Sequence, residues 1–155
     1  MTVEEKNMLL GHLALVVAAV FSGAAIYVSL VEGPARLTLD DRAALAEWQP
    51  AYKCGTAMQA SLAAAASAIG LAAWWQMHAN PYLVGAVLAL LPWPWTLLVI
   101  MPTNKALLAL GPSSAGPESR RLLRRWDRLH LMRTALGVAA TASYLWGTLT
   151  PQSVL

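Results

Sequence analysis

Charged residues are scarce in this chain of 155 residues. They make up 12 % of the sequence, about half of the roughly 25 % that is typical of soluble domains. Apolar residues reach 57 %, above the usual range of about 45–50 %. This composition excludes an ordinary soluble domain and predicts a membrane protein. The length suffices for one domain, which we assign to residues 1–155.

Cysteine is almost absent. Cys54 is the one cysteine, so an internal disulfide is excluded, and no Cys/His spacing typical of a metal site occurs. We expect Cys54 to be a small buried or interfacial residue. His12 and His78 fall at the opposite end of the predicted spans from His130, without partners at useful spacing. We therefore expect no bound metal, haem or other cofactor.

Four apolar segments are long enough to cross a membrane. A hydrocarbon core of about 30 Å takes roughly 20 residues of helix, and the segments cover residues 8–31, 56–75, 82–101 and 129–149. Helices are expected because an isolated strand would leave backbone groups unpaired in lipid. The predicted fold class is all-α, a four-helix transmembrane bundle. The first run is too long for a signal peptide, so we expect it to stay in the mature protein.

Prolines shape the second half of the predicted bundle. The segment from His78 to Pro81 predicts a tight turn, which makes the second and third spans antiparallel neighbours. Pro92 and Pro94 predict a kink in the third span, because proline removes a backbone donor and crowds the preceding turn.

Short amphipathic helices are predicted in the first and third connections. Asp40 and Asp41 suit the cap of a helix that runs through Trp48, and Pro50 suits the first turn of the second span. Residues 118–128 predict a basic helix that continues directly into the fourth span.

Lysine and arginine indicate the orientation. Nine of them lie in or beside the first and third connections, whereas one, Lys6, precedes the first span. The positive-inside rule places those connections in the cytoplasm and both termini outside. Because the basic residues border apolar spans, a nucleic-acid partner is excluded. We expect a multi-pass protein whose partner is the lipid bilayer, in the inner membrane if the source is bacterial.

Polar side chains gather at the predicted cytoplasmic ends of the spans. Trp126, His130 and Arg133 share one face of the fourth span through their i, i+4 and i+7 spacing. The other members lie at or just beyond the ends of the first three spans: Glu32, Arg36, Tyr52, Gln59 and Asn104. Together they predict a polar-floored pocket in an apolar bundle, suited to a flat lipophilic molecule with one or two oxygens.

Arg133 and His130 carry the strongest functional indication. Arg133 lies about one turn inside its span, where a charge needs a partner, and Glu32 is the counter-ion that we predict. His130 lies one turn away, and histidine titrates in a range suited to proton transfer. We therefore predict a Glu32–Arg133 charge pair beside His130.

Structural roles stay open for the other members. Arg36 could pair with Glu32 or extend towards lipid headgroups. Tyr52 and Trp126 could anchor the helices at the membrane interface. Gln59 could simply bond a neighbouring helix.

Short motifs occur in order along nearly the whole chain. They are Leu30-Val-Glu-Gly-Pro-Ala-Arg36, Trp48-Gln-Pro-Ala-Tyr-Lys-Cys-Gly55, Met101-Pro-Thr-Asn-Lys105 and Trp126-Asp-Arg-Leu-His-Leu-Met-Arg133. In these motifs the sequence resembles the anthrone-oxygenase-like family of small membrane proteins. The resemblance implies a four-helix membrane fold. From the fungal members it also implies oxidation of an anthrone to an anthraquinone by O₂, without metal or flavin.

The resemblance also suggests roles for the polar residues. A base removes an acidic proton, cationic donors hold the anion, and the electron-rich carbanion reacts with O₂. His130 or Glu32 is the expected base, and Arg133 with Asn104 or Tyr52 the expected oxyanion stabiliser. The residues expected to bind substrate are Arg36, Tyr52, Gln59, Asn104 and Trp126.

Two functions remain open at this point. The first is a cofactor-independent oxygenase acting on a lipophilic polycyclic phenol, anthrone or quinone-like substrate. The alternative is a non-enzymatic membrane protein that binds a lipophilic small molecule or assists a partner protein. A homo-oligomer is compatible with the sequence, which does not fix the oligomeric state.

Overall fold

The structure is a computed structural model that describes residues 2–150, so the last residues of the predicted 1–155 domain lie outside it. Within that range the chain is helical and contains no strand, which confirms the predicted all-α class. The elements are α1 (Val3–Tyr27), a first π-helical turn (Val28–Glu32), α2 (Gly33–Leu37), α3 (Asp41–Met77), α4 (Asn80–Leu90), α5 (Pro92–Trp95), a second π-helical turn (Thr96–Ile100), α6 (Met101–Ala109), a 3-10 turn (Pro112–Ser114) and α7 (Pro117–Leu149).

Among the described residues, three helical stretches are long and apolar enough to cross a membrane: Glu5–Leu37, Asp41–Met77 and Asn80–Ala109. They are consistent with a membrane protein. The fourth predicted span lies in α7, which falls short of the same criterion because it carries His130, Arg133 and several hydroxyl side chains. Its crossing of the membrane therefore stays a prediction.

The long helices form a four-cornered bundle. Helix α1 packs against α3 and α7, and α4 packs against the same two helices. One half of the core is rich in alanine, and there a Cβ atom at Gly70 or Gly85 would overlap the ring of Tyr144. The opposite half, which we call the basic end because the arginine-rich connections lie there, has a core of Ala44, Leu45, Trp48, Ile100, Leu107, Leu123 and Trp126. Alanines and two tyrosine rings thus fill one half of the core, while tryptophans and larger aliphatic side chains fill the other.

Both π-helical turns end two residues before a proline. Val28–Glu32 precedes Pro34, and Thr96–Ile100 precedes Pro102. A proline ring clashes with the carbonyl four residues earlier and offers no N–H group, so a widened turn accommodates it without ending the helical path. Such turns are frequent at functional sites, and the first one lies against the cavity described below.

Several predicted connections are confirmed. His78 ends α3 in a left-handed conformation with φ of 51° and donates its N–H to the Trp74 carbonyl, so α4 turns back at once. The α-helical path is interrupted at Leu91, directly before Pro92, which is where we predicted a kink. The basic segment 118–128 continues without a break into α7.

The prediction of a separate amphipathic helix ending near Trp48 is wrong. Helix α3 is continuous from Asp41 to Met77 and passes through Pro50, with Asp40 as its N-cap. Pro50 is exposed, and so is Ala46, whose carbonyl loses its helical donor to the proline. The buried Leu45 and Trp48 hold the segment in the core, so packing overrides the local preference for ending the helix.

Candidate functional site

A cavity of about 380 Å³ lies at the basic end, among α1, the first π-helical turn, α2, α3 and α7. Small-molecule sites typically span about 300–1,000 Å³, so the space suits one small ligand. Seven of the eight predicted site residues line it: Glu32, Arg36, Tyr52, Gln59, Trp126, His130 and Arg133. The other lining residues are Ala24, Tyr27, Val28, Trp48, Ala51, Cys54, Gly55, Thr56 and Met58. The structure therefore brings the predicted constellation into one space.

The mouth of the cavity lies between α1 and α3. Its rim includes Tyr27 and Met58, which are 54 % and 50 % exposed. Cys54 is exposed at the same rim, so the expectation that it is buried is wrong. The other expectation, an interfacial position, stays a prediction. A Cβ atom built on Gly55 would meet nothing within 4 Å, so this rim position is unfilled.

Aromatic rings form one wall of the cavity. Trp48 stacks on Tyr52 with their ring centroids 4.8 Å apart, and it meets Trp126 edge-on at 5.7 Å. Trp126 in turn stacks on His130 with a centroid distance of 5.0 Å. A continuous surface of π-systems in this arrangement can pack against a flat polycyclic ligand.

Asn104 lies behind this wall and does not line the cavity, although we predicted it to bind substrate. It is fully buried, its Nδ2 donates to the Tyr52 hydroxyl at 3.1 Å, and its Oδ1 accepts from Trp126 Nε1 at 2.9 Å. The amide thus fixes the two rings against each other. Its contacts make Asn104 a positioning residue for the wall.

Arg36 is the centre of a charge cluster, which we call the Arg36 cluster: Arg36, Glu32, Glu47 and Asp127. The guanidinium donates to the carboxylates of Glu32 and Glu47, and its Nη1 lies 3.6 Å from Asp127 Oδ1. The Arg36 side chain is 1 % exposed. This buried cation is therefore surrounded by carboxylates on three sides.

Asp127, which precedes the predicted fourth span, is the carboxylate of the cluster whose charge is least well compensated. Burial raises the pKa of Asp127 to about 6, against the opposing effect of the Arg36 charge. Its Oδ2 is buried without a hydrogen-bond partner. Three carboxylates share one guanidinium, so the third is the least well compensated.

The predicted Glu32–Arg133 charge pair is wrong. Glu32 binds Arg36, one helical turn further along the chain, and no carboxylate within residues 2–150 forms an ion pair with Arg133. Arg133 Nη2 instead donates to Gln59 Oε1 at 3.0 Å, and Arg133 Nε is buried without a partner. Arg133, which is 7 % exposed, is thus a buried cation with an unfilled hydrogen-bond donor at the cavity.

His130 connects the cavity to α1. The residue is 2 % exposed, and its Nδ1 lies 3.1 Å from Ser29 Oγ. Ser29 Oγ is 2.8 Å from Thr134 Oγ1, which in turn lies 3.1 Å from the Ala25 carbonyl oxygen. Since Nδ1 is engaged, Nε2 is the ring nitrogen left for a ligand.

Sequence reasoning missed several residues of the site. Glu47 and Asp127 lie in polar segments where carboxylates are ordinary, so nothing marks them as partners of Arg36. Ser29 and Thr134 are small polar residues of a kind that often bonds neighbouring helices. The i+4 spacing of Thr134 from His130 is the one signal that could have suggested a link.

The other histidines lie away from the cavity. His12 Nδ1 bonds the Met8 carbonyl of its own helix at 2.6 Å, and His78 forms the turn after α3. Within the described part of the chain, no group of three or more His, Cys, Asp or Glu residues is placed to hold a metal ion.

Comparison with known proteins connects this geometry to a family. A family model described as anthrone oxygenase matches residues 48–143, more than half of the chain. The anthrone oxygenase of Claviceps purpurea is 29 % identical over 143 residues, covering 83 % of this chain and 82 % of the relative. Anthrone oxygenase tpcL of Aspergillus fumigatus is 40 % identical over 57 residues, 35 % of each chain. No solved structure matches the chain.

The matched region includes most of the cavity wall. It contains the aromatic residues from Trp48 to Trp126 as well as Gln59, His130 and Arg133, whereas Arg36 and the first helix precede it. On the extent of this match, the chain belongs to the anthrone oxygenase family.

Proposed function

We propose that this protein is a membrane oxygenase that converts an anthrone-type substrate to the corresponding quinone with O₂, without metal or flavin. The observation that carries the proposal is an unpaired buried guanidinium, Arg133, in the same aromatic-walled cavity as His130. A buried cation without a counter-ion is costly. An anionic ligand oxygen would compensate it.

The proposed chemistry begins with proton transfer. An anthrone carries a CH₂ group opposite its carbonyl, and loss of one proton spreads negative charge onto the carbonyl oxygen. His130 Nε2 accepts that proton. Arg133, held by Gln59, donates to the oxygen on which the charge develops. The aromatic wall keeps the tricyclic ring system flat against these two groups.

Oxygen then reacts at the carbanion. Two electrons from the substrate form the new C–O bond, and the proton held on His130 passes to the resulting peroxide. Loss of the second hydrogen of that carbon, together with hydroxide, gives the new carbonyl and water. One anthrone and one O₂ thus yield one anthraquinone and one water.

We propose His130 rather than Glu32 as the base. The Glu32 carboxylate is bound by the buried Arg36 guanidinium, so protonating it would weaken the Arg36 cluster. The Nε2 atom of His130 takes part in no such ion pair among the described residues. Asn104, Tyr52 and Trp126 shape the wall in this proposal.

The alternative is binding without turnover. The cavity opens beside the exposed Tyr27 and Met58, which is compatible with exchange of a lipophilic molecule from the bilayer. A protein that only binds such a molecule would need the cavity but no proton acceptor. Turnover that depends on His130 separates the two functions.

The test is oxidation of anthrone by the purified protein in detergent. We expect O₂ uptake and anthraquinone formation above the spontaneous rate, and a loss of about 10²–10⁴-fold for His130→Gln, the range that a general base contributes. Gly55→Leu should also reduce turnover, because its side chain would occupy the unfilled rim of the cavity.

A matched control exists for the cavity variant. Gly23 is exposed in α1, does not line the cavity, and a Cβ atom there also meets nothing within 4 Å. Gly23→Leu should therefore leave turnover unchanged. Anthrone that binds but is oxidised no faster than in buffer would refute the enzymatic proposal.

For the orientation, we propose that the basic end faces the cytoplasm, with both termini outside, on the distribution of lysine and arginine. Single cysteines placed at the exposed Thr2 and Ser114 in a Cys54→Ala background test this. An impermeant thiol reagent applied to intact cells should label the first position and spare the second. The reverse labelling pattern would show the opposite orientation.

A further inference from the structure

A chain of hydroxyl groups runs from His130 to the backbone of α1. Ser29 Oγ lies 3.1 Å from His130 Nδ1, Thr134 Oγ1 lies 2.8 Å from Ser29 Oγ, and the Ala25 carbonyl oxygen lies 3.1 Å from Thr134 Oγ1. Each hydroxyl has a single hydrogen to donate, and a carbonyl can only accept. The far end of the chain therefore constrains the direction of every bond in it.

The direction follows from counting hydrogen atoms. If Thr134 donates to the Ala25 carbonyl, Ser29 must donate to Thr134, and Ser29 then accepts from an N–H at His130 Nδ1. This arrangement makes three hydrogen bonds. The reverse arrangement, in which Thr134 donates to Ser29 and Ser29 donates to Nδ1, makes two of these bonds and loses the one to Ala25.

We propose that Ser29 and Thr134 hold His130 in the tautomer with hydrogen on Nδ1 and a lone pair on Nε2. Resting on the proposed function, this inference makes them positioning residues for the catalytic base. Only a ring with a free Nε2 lone pair can accept the substrate proton on that nitrogen. Arg133 lines the same cavity, and its positive charge favours a lone pair over an N–H facing it.

The competing explanation is that these hydroxyls merely join two helices, and the structure contains its own control. Ser22 Oγ lies 2.8 Å from Thr141 Oγ1, which donates to the Gly137 carbonyl at 3.0 Å. This second pair joins α1 to α7, and its two residues each lie seven positions before or after those of the first pair, whose Ser29 belongs to the π-helical turn that continues α1. It is also a serine–threonine pair, but its threonine bonds a carbonyl of its own helix, and no histidine hydrogen bond to either hydroxyl is present among the described residues.

The test is the protonation state of the ring nitrogens, read by ¹⁵N NMR of histidine-labelled full-length protein in detergent. The chain has three histidines, so the spectrum of a His130→Gln variant identifies the His130 signals. We expect a protonated Nδ1 and an unprotonated Nε2 in the wild-type protein. In Thr134→Val the Ser29 hydroxyl has lost its acceptor and turns to Nδ1, so the ring should exchange to the Nε2–H form.

Activity gives a second readout. Thr134→Val should lower kcat for anthrone by at least about tenfold, within the range of a general base, with KM within about twofold. Thr141→Val removes the same hydroxyl from the control pair and should change neither tautomer nor kcat. Thr134→Ser restores the hydroxyl and should restore both, and Ser29→Ala should lower kcat as Thr134→Val does.

The possible outcomes separate the inference from the proposed function. A wild-type ring with hydrogen on Nε2 would overturn the inference, even if Thr134→Val cannot be folded. Equal effects of Thr134→Val and Thr141→Val would also overturn it, since helix packing would then explain both. The expected tautomer, lost in Thr134→Val, in a protein that does not oxidise anthrone would uphold the hydrogen-bond chain and reject the oxygenase.

Discussion

Two buried arginines line the cavity, and their surroundings differ sharply. Arg36 contacts the carboxylates of Glu32 and Glu47 and lies 3.6 Å from that of Asp127. Arg133 makes one side-chain hydrogen bond within the described residues, to the neutral amide of Gln59. Both residues are nearly inaccessible, at 2 % and 7 % exposed.

The difference suggests that the two arginines have different roles at one site, one in folding and one in ligand binding. The Arg36 cluster joins α2, α3 and α7 through opposite charges, so its main effect is on folding, although Arg36 Nη1 and Asp127 Oδ2 lack hydrogen-bond partners. Arg133 has a neutral partner, Gln59, and no carboxylate partner among the described residues, so its main effect should be on the ligand. Variants of the two arginines can therefore separate stability from turnover.

The largest expected effect is on stability. Arg36→Met would leave the carboxylates of Glu32, Glu47 and Asp127 without a cation, and breaking a buried pair typically costs about 3–5 kcal/mol. We expect a marked fall in the thermal midpoint in detergent, partly recovered when Glu32→Gln is added. Arg121→Met is the control, because its pair with Glu118 is exposed and should matter little. An unchanged midpoint in Arg36→Met would show that the cluster does not stabilise the fold.

The second prediction reverses that pattern. Arg133→Met should reduce anthrone turnover by about 10²–10³-fold, as loss of an oxyanion donor does, while the thermal midpoint stays at or above that of the wild type. Removing an uncompensated buried cation does not by itself cost stability. Arg128→Met, exposed on the same helix, should change neither quantity. A destabilised Arg133→Met variant with full turnover would reverse the proposed division.

The smallest expected effect concerns pH and Asp127. The pKa of Asp127 is raised from 3.8 to about 6 in the folded protein. The free energy of unfolding that its protonation contributes is therefore fully present below a pH of about 4. It is lost as the pH rises through about 6, by at most about 3 kcal/mol. Asp127→Asn should flatten this decline in unfolding experiments between pH 4 and 7. Glu118→Gln is the control, because it removes an exposed carboxylate from α7 and should leave the decline of stability with pH unchanged. A decline in Asp127→Asn as steep as in the wild type would show that Asp127 does not cause it.

Much of the fold was predictable from local pattern. The apolar runs, the turn at His78 and the interruption of the helix before Pro92 depend on residues close together in the chain, and the structure contains all of them. The continuity of α3 through Pro50 was not predictable. There the burial of Trp48 on one side of α3 outweighs the backbone preference of an exposed proline.

The candidate site was predictable as a set of residues but not as a set of contacts. Helical spacing placed His130 and Arg133 on one face, and both line the cavity. The partner of Glu32 could have been either arginine, and the choice depends on the relative rotation and depth of α2 and α7. The role of Asn104 behind the aromatic wall depends on the same geometry.

By itself, the sequence determined that this chain forms apolar helices and collects its polar side chains at one end, because length, hydropathy and helical period are properties of consecutive residues. Only the tertiary structure decided which arginine is neutralised and which hydroxyls reach His130. The hydroxyl contacts join residues about a hundred positions apart, such as Ser29 and His130, and the choice between Arg36 and Arg133 as partner of Glu32 depends on how separate helices pack. A shift of one residue in a helix rotates a side chain by about 100°, so no local pattern can specify them.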